Sequence, residues 1–251
     1  MNMGARKTTI LVIIVTAILL TVQVSAVAGA GHDDKEPELE MRVHYLYKAD
    51  AKPDKPDKPD KPGGGKPGGD DGTYKLLGKG VLWKNLPITV HIDSDISPSF
   101  AAAIWEGADA WEDATAETLF NDPDTDTDVE WTSNGENEII FGDYPTAGVI
   151  AVTYIWGYFG GPPKGREIVE FDIMFDDTDF DWGTDGSADV MDVWNIAIHE
   201  LGHGLGLADL YDDADYQETM YGYASNGETI KRDLYKGDIA GIQSLYGAPE
   251  A

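Results

Sequence analysis

His199-Glu200-Leu201-Gly202-His203-Gly204-Leu205-Gly206-Leu207-Ala208-Asp209 sets two histidines, a glutamate and an aspartate in one apolar run. On a helix, residues four apart share a face, so His199 and His203 can offer imidazole nitrogens to one ion while Glu200 projects beside them. The His-Glu-x-x-His spacing is a zinc-hydrolase signature, with the histidines as ligands and the glutamate as base. Three protein ligands leave a further position on the ion for water or substrate, which the ion polarises. No histidine follows His203, and His32, His44 and His91 lie far upstream, so a carboxylate is the expected third ligand. Asp209 stands in the best place for it. Gly206, three residues past His203, can take a positive φ, end the helix and swing the chain back beneath the metal.

With these residues in view, the chain resembles the metzincin clan, and within it the matrixin-like metalloproteases. Their extended motif carries a glycine three residues after the second histidine and a third ligand three residues later. Most matrixins have histidine at the position of Asp209; the aspartate version occurs in snapalysin-like and some prokaryotic matrixin-like enzymes. The resemblance implies that Met220, within Glu218-Thr219-Met220-Tyr221-Gly222-Tyr223, packs in a methionine turn beneath the zinc without ligating it. Asp233 to Gly247 looks like the family's closing helix, and Asp172-Ile173-Met174-Phe175-Asp176-Asp177, with Trp182 beyond, is similar to the strand and acidic turn before its zinc helix. The likeness runs from roughly Tyr74 to Gly247 and implies a secreted, extracellular zinc endopeptidase of the α/β (α+β) class: a twisted mixed sheet, an active-site helix, a methionine turn and a C-terminal helix. Zn2+ would be the cofactor, Glu200 the general base and a polypeptide the substrate.

Departures from the family pattern refine this expectation. The second, structural zinc of animal matrixins loses its ligands, because Met174 and a residue near Val152 stand where histidines would be. Asp176 and Asp179 match acids of the family's calcium turn, which makes Ca2+ a second ion to look for, with Asp177 and Asp181 as further oxygen donors. The run Asp122, Asp124, Asp126 and Asp128 lacks the glycine and glutamate spacing of a calcium hand and reads as an exposed loop. Some metzincins use a tyrosine two residues after the methionine; Gly222 stands there, which leaves Tyr221 and Tyr223 as packing or pocket walls. Residues 220–230 are expected to form the wall of the specificity pocket, with a turn at Asn226-Gly227. Under the other zincin plan, Glu218 or Glu228 would complete the site. An inactive homologue and a secreted zinc-containing binding module are the alternatives to catalysis, and the intact Glu200 argues against both.

Residues 1–30 read as a secretory signal: Arg6 and Lys7, an apolar stretch from Ile10 to Leu20, and small residues that permit cleavage after Ala26 or Ala30. No stable membrane association is expected after cleavage. The chain has no cysteine, so disulfides cannot stabilise an exported product, and the cysteine-switch latency of animal matrixins is excluded. The net charge is −28, and 35 of the 46 acidic residues against 8 of the 18 basic ones lie from Tyr74 onward. Nucleic acid and anionic membranes would repel such a surface, which reads as a solvated coat, and the protein is expected to be a monomer.

Residues 50–73 form a linker: Lys-Pro-Asp repeats favour an extended spacer, and the glycines from Gly63 to Gly72 loosen it. Residues 31–49 form a short N-terminal segment or propeptide in which Met41 to Tyr47 alternates as one strand. Residues 74–248 suit a single catalytic domain. Within it, strands are expected at Pro87 to Ile92, Asp128 to Thr132, Glu138 to Phe141, Val149 to Tyr154 and Ile168 to Phe175, and His91 reads as a sheet-face residue. A helix is expected from Ser97 to Ala114 with Phe100, Ile104, Ala108 and Trp111 along its apolar stripe. The zinc helix is expected from about Val190, capped by Asp189, to Leu205, burying Val193, Ile196, Ala197 and Leu201.

Overall fold

The computed structural model describes residues 38–51, 72–127 and 129–249. The expected signal peptide and most of the expected linker lie outside the described residues.

The two longest strands are β6 (Val149–Tyr158) and β7 (Glu167–Asp176). Both are rich in β-branched and aromatic residues and buried along nearly their whole length, as strands covered on both faces must be. They pair antiparallel, and β5 (Glu138–Gly142) joins β7 in parallel. Beyond β5 come β3 (His91–Asp93) and the edge strand β4 (Asp124–Asp126), both parallel. On the other side of β6 lies β1 (Glu40–Lys48), antiparallel to it and followed by the short β11 (Tyr223–Ala224). The order of this mixed seven-stranded sheet is β11-β1-β6-β7-β5-β3-β4.

Two helices stack beside the sheet. Ser97 caps α1 (Pro98–Asp113) by accepting from the Phe100 amide, and Pro98 opens its first turn. Ile104, Ala108 and Trp111 bury its stripe, as expected, while Phe100 is half-buried. The second helix, α2 (Val193–Gly204), packs on α1, β6 and β7. Trp111 Nε1 donates to Ile198 O at 2.7 Å, and Trp83 Nε1 donates to Gly204 O at 2.8 Å, so two indoles bind α2 into the core. The last helix among the described residues is α3 (Lys236–Tyr246), in the segment expected for the family's last helix.

Four sequence expectations are corrected. The strand expected at Pro87 to Ile92 forms only as β3, with Ile88 in an isolated bridge to Phe120. The helix carrying His199 and His203 begins at Val193 and its cap is Asp192, whose Oδ1 accepts from the Asn195 amide at 3.0 Å, rather than Asp189. The chain stays extended up to that point because β9 (Met191–Asp192) pairs with β8 (Trp182–Gly183). The strand expected at Asp128 to Thr132 does not form over residues 129–132; there the Glu130 amide donates to Glu138 Oε1 at 2.9 Å instead of to a neighbouring strand. The aspartate run read as a loop instead supplies β4, whose Asp124 faces His91 across 3.4 Å.

Candidate metal centre

His199, Glu200 and His203 have no solvent exposure, and Asp209 is 4% exposed. Buried polar groups of this kind need partners. His199 Nδ1 donates to Thr219 O at 2.7 Å and His203 Nδ1 donates to Leu207 O at 3.0 Å. Carbonyl partners place the N–H on Nδ1 in both rings and leave each Nε2 as a lone-pair donor. The two Nε2 atoms stand 3.1 Å apart, and each lies 3.3 Å from Asp209 Oδ1.

Asp209 reaches this point through the expected turn. Gly206 has φ +107°, and a Cβ there would fall 2.5 Å from Val81 O, so no other residue fits. β10 (Leu207–Ala208) then pairs with β2 (Lys75–Leu76), and a bridge between Leu210 and Tyr221 fixes the far side of Asp209.

Beside the histidines, Glu200 Oε2 accepts from Thr153 Oγ1 at 2.5 Å, so β6 positions the carboxylate. Glu200 Oε1 and Asp209 Oδ1 are buried and make no hydrogen bond. Two imidazole lone pairs and a carboxylate oxygen pointed at one another repel unless a cation sits between them. Nitrogen and oxygen donors in this number fit zinc.

Electrostatics agree with that donor set. Burial pushes His199 down to about 4, with His203 adding to the effect. Burial also disfavours charge on His203, but Asp209 and Glu200 outweigh it and raise this residue. For Asp209, burial is outweighed by His203, His199 and His44, which hold the carboxyl well below the usual range. Burial raises Glu200 to about 7, against the opposing pull of His203 and Thr153.

Met220 lies under α2, 1% exposed, where a Cβ on Gly202 would meet its Sδ at 2.4 Å. The turn carrying it is tied to α3: Asp238 accepts from the Thr219 amide at 2.6 Å and the Met220 amide at 3.1 Å. Since Thr219 O holds His199, α3 orients a ring of the site through two hydrogen bonds.

Other residues singled out in the sequence fall elsewhere. Glu218 Oε2 accepts from the Gly237 and Asp238 amides at 2.8 and 3.1 Å, capping α3, and Glu228 pairs with Lys231. Asp176 Oδ1 closes its own turn by accepting from the Thr178 and Asp179 amides at 2.9 and 3.2 Å, and Asp179 is exposed. Asp177 and Asp181 line a separate cavity of about 590 Å³ together with Asp93 and Asp95. Tyr221 OH donates to Asp213 at 2.7 Å, and Tyr223 packs edge-on against Tyr211 and Tyr221.

Two participants were missed. Thr153 sits in a strand read only for its apolar content. His44, set aside as too far upstream, lies with Nδ1 2.8 Å from Asp209 Oδ2 and its ring stacked on His203, centroids 4.2 Å apart. His44, His203 and Asp209 also bring ligand atoms within 4.8 Å of one another. Alternation along Met41 to Tyr47 puts Arg42, His44 and Leu46 on one face, yet nothing in the spacing says that this face meets Asp209.

Comparison with known proteins agrees with this fold. The family model for matrixin matches residues 97–247, and the chain belongs to the matrixin family. It is 30% identical over 189 residues to stromelysin-1 of Mus musculus, an alignment covering 72% of this chain and 36% of that protein. It is 29% identical over 193 residues to matrix metalloproteinase-16 of Homo sapiens, covering 70% and 29% respectively. Matrix metalloproteinase-19 of Homo sapiens is 27% identical over 184 residues, covering 69% of this chain and 31% of that protein. The chain therefore spans about a third of the length of the curated relatives it matches.

Proposed function

We propose that this chain is an exported zinc-dependent endopeptidase, with His199, His203 and Asp209 holding the metal and Glu200 acting as general base. The convergence of both Nε2 atoms on Asp209 Oδ1, beside a buried glutamate, carries the reading. When bound, zinc supplies Lewis acidity toward a peptide carbonyl and water. The protein's own groups do the rest. Thr153 holds one oxygen of Glu200, and the other is left to take a proton from water and return it to the leaving amine. A carboxyl raised to about 7 suits both transfers near neutral pH. The substrate would lie extended across the histidines along β6. We assign residues 1–30 as the export signal, 50–73 as the linker and 74–248 as the catalytic domain.

The test is zinc content together with turnover of an unfolded protein, measured on the full chain and on the same chain cut within the glycine run of residues 63–65. Glu200→Gln should keep one zinc and lose turnover by roughly 10²–10⁴-fold. Asp209→Ala should lose the metal on dialysis. Zinc retained by Asp209→Ala, or turnover unchanged in Glu200→Gln, would overturn the assignment.

A further inference from the structure

We propose that His44 is a fourth side chain of the metal group, and that the strand carrying it fills the edge of β6 where a substrate would lie. The proposal rests on the zinc-peptidase reading above. Without β1, β6 would be an edge strand with unpaired backbone groups, the ready-made place for an extended peptide to add. β1 takes that place: Glu40 to Tyr47 run antiparallel along Gly157 to Val149, and Tyr47 and Lys48 pair in parallel with β11. The register sets His44 opposite Thr153, whose hydroxyl holds Glu200, so the strand crosses the site at its catalytic glutamate.

The side chains go further than the backbone. His44 is 7% exposed, lies with Nδ1 2.8 Å from Asp209 Oδ2 and stacks on His203, so its imidazole joins the other two in one group of potential ligand atoms. A metal with four protein ligands is closed, as in structural zinc sites, whereas three leave a position open for chemistry. Leu46, on the same face as His44, is fully buried and anchors the strand.

β1 lies ahead of the matched residues 97–247 and is joined to the body through a Lys-Pro-Asp and glycine sequence that can build no core. A tether of this kind gives the strand a high effective concentration at the cleft, which a free peptide must outcompete. Cutting the tether removes that advantage. The chain would thus carry its own cleft-filling segment, recognised as a peptide strand and pinned by an imidazole.

The test uses the full chain loaded with zinc or cobalt(II), as wild type, His44→Ala and His44→Gln, together with wild type cut at an inserted protease site in residues 63–65. Losing even an outer-shell partner of a metal site costs about 10–100-fold in affinity, so losing a ligand such as His44 should weaken zinc binding by roughly 10-fold or more. The cobalt spectrum should change in both variants, and cleavage of a short peptide should rise by at least the same factor in the variants and in the cut chain. An unchanged cobalt spectrum and zinc affinity, or unchanged peptide cleavage, would overturn the proposal. Glu200→Gln and Asp209→Ala in the same series separate the two readings: if they leave cleavage and zinc intact, the peptidase assignment itself has failed.

Discussion

Asp209 sits among three imidazoles, and its charge matters to them as much as its position. It raises His203 and opposes the burial that lowers His199, while those rings keep Asp209 ionised. Asp209→Asn preserves shape and removes charge, so zinc affinity should fall with little change in fold, a difference that metal competition with a chelator would read. Thr153 supports a second expectation. Its hydroxyl lowers Glu200 against the burial that raises it, so Thr153→Val should push the carboxyl higher and shift the acid limb of kcat/KM in the cut chain to higher pH. An unmoved limb would mean that Thr153 does not position the base. His199, Glu200, His203 and Asp209 were legible together because helical period and a glycine turn bring residues of one short run to one point. His44 and Thr153 were not, because strand pairing across the molecule places them, and no local spacing encodes that pairing.

α2 is held by close approaches that a single methyl group would disturb. A Cβ on Gly202 would lie 2.4 Å from Met220 Sδ and 2.8 Å from the Trp111 ring. Alanine is the better helix former by about 1 kcal/mol, yet overpacking costs about 1–3 kcal/mol, so Gly202→Ala should be neutral to destabilising. A denaturant midpoint raised by this substitution would show that Met220 has room to move. The same scale shows where sequence reading worked. The capped stripe of α1 and the long apolar strands β6 and β7 announced themselves by period and composition. The start of α2 did not, because two aspartates three residues apart could each cap it, and the pairing of β9 with β8 decides for Asp192. The strand near Asp128 failed because side-chain acceptors capture backbone donors there, as Glu138 does for Glu130.

Across the whole molecule, burial raises several acids to or above the neutral range. Burial, with Glu138 and Glu170 nearby, raises Asp172 to about 8, and burial raises Glu200 and Asp238 to about 7. Their folded values exceed the unfolded ones of about 4, so between these limits the native chain holds protons that the unfolded chain has released, and stability falls as pH rises. Below about 6.5 His199 works the other way, since it stays neutral when folded and would charge when unfolded. For the chelated protein, the denaturant midpoint should therefore drop between about pH 6.5 and 8, and Asp172→Asn should flatten that drop. A midpoint independent of pH would remove Asp172 from the account. Zinc should restore stability by mass action, about 2.7 kcal/mol at a hundredfold excess over its Kd. The central claim is that one ion held by His199, His203 and Asp209 works with Glu200 on peptide bonds. The most direct measurement is turnover of an unfolded protein by the zinc-loaded, linker-cut chain, set against Glu200→Gln prepared in the same way. We expect one zinc in both and turnover in the first alone; equal turnover in the two, or none in either, would contradict the claim.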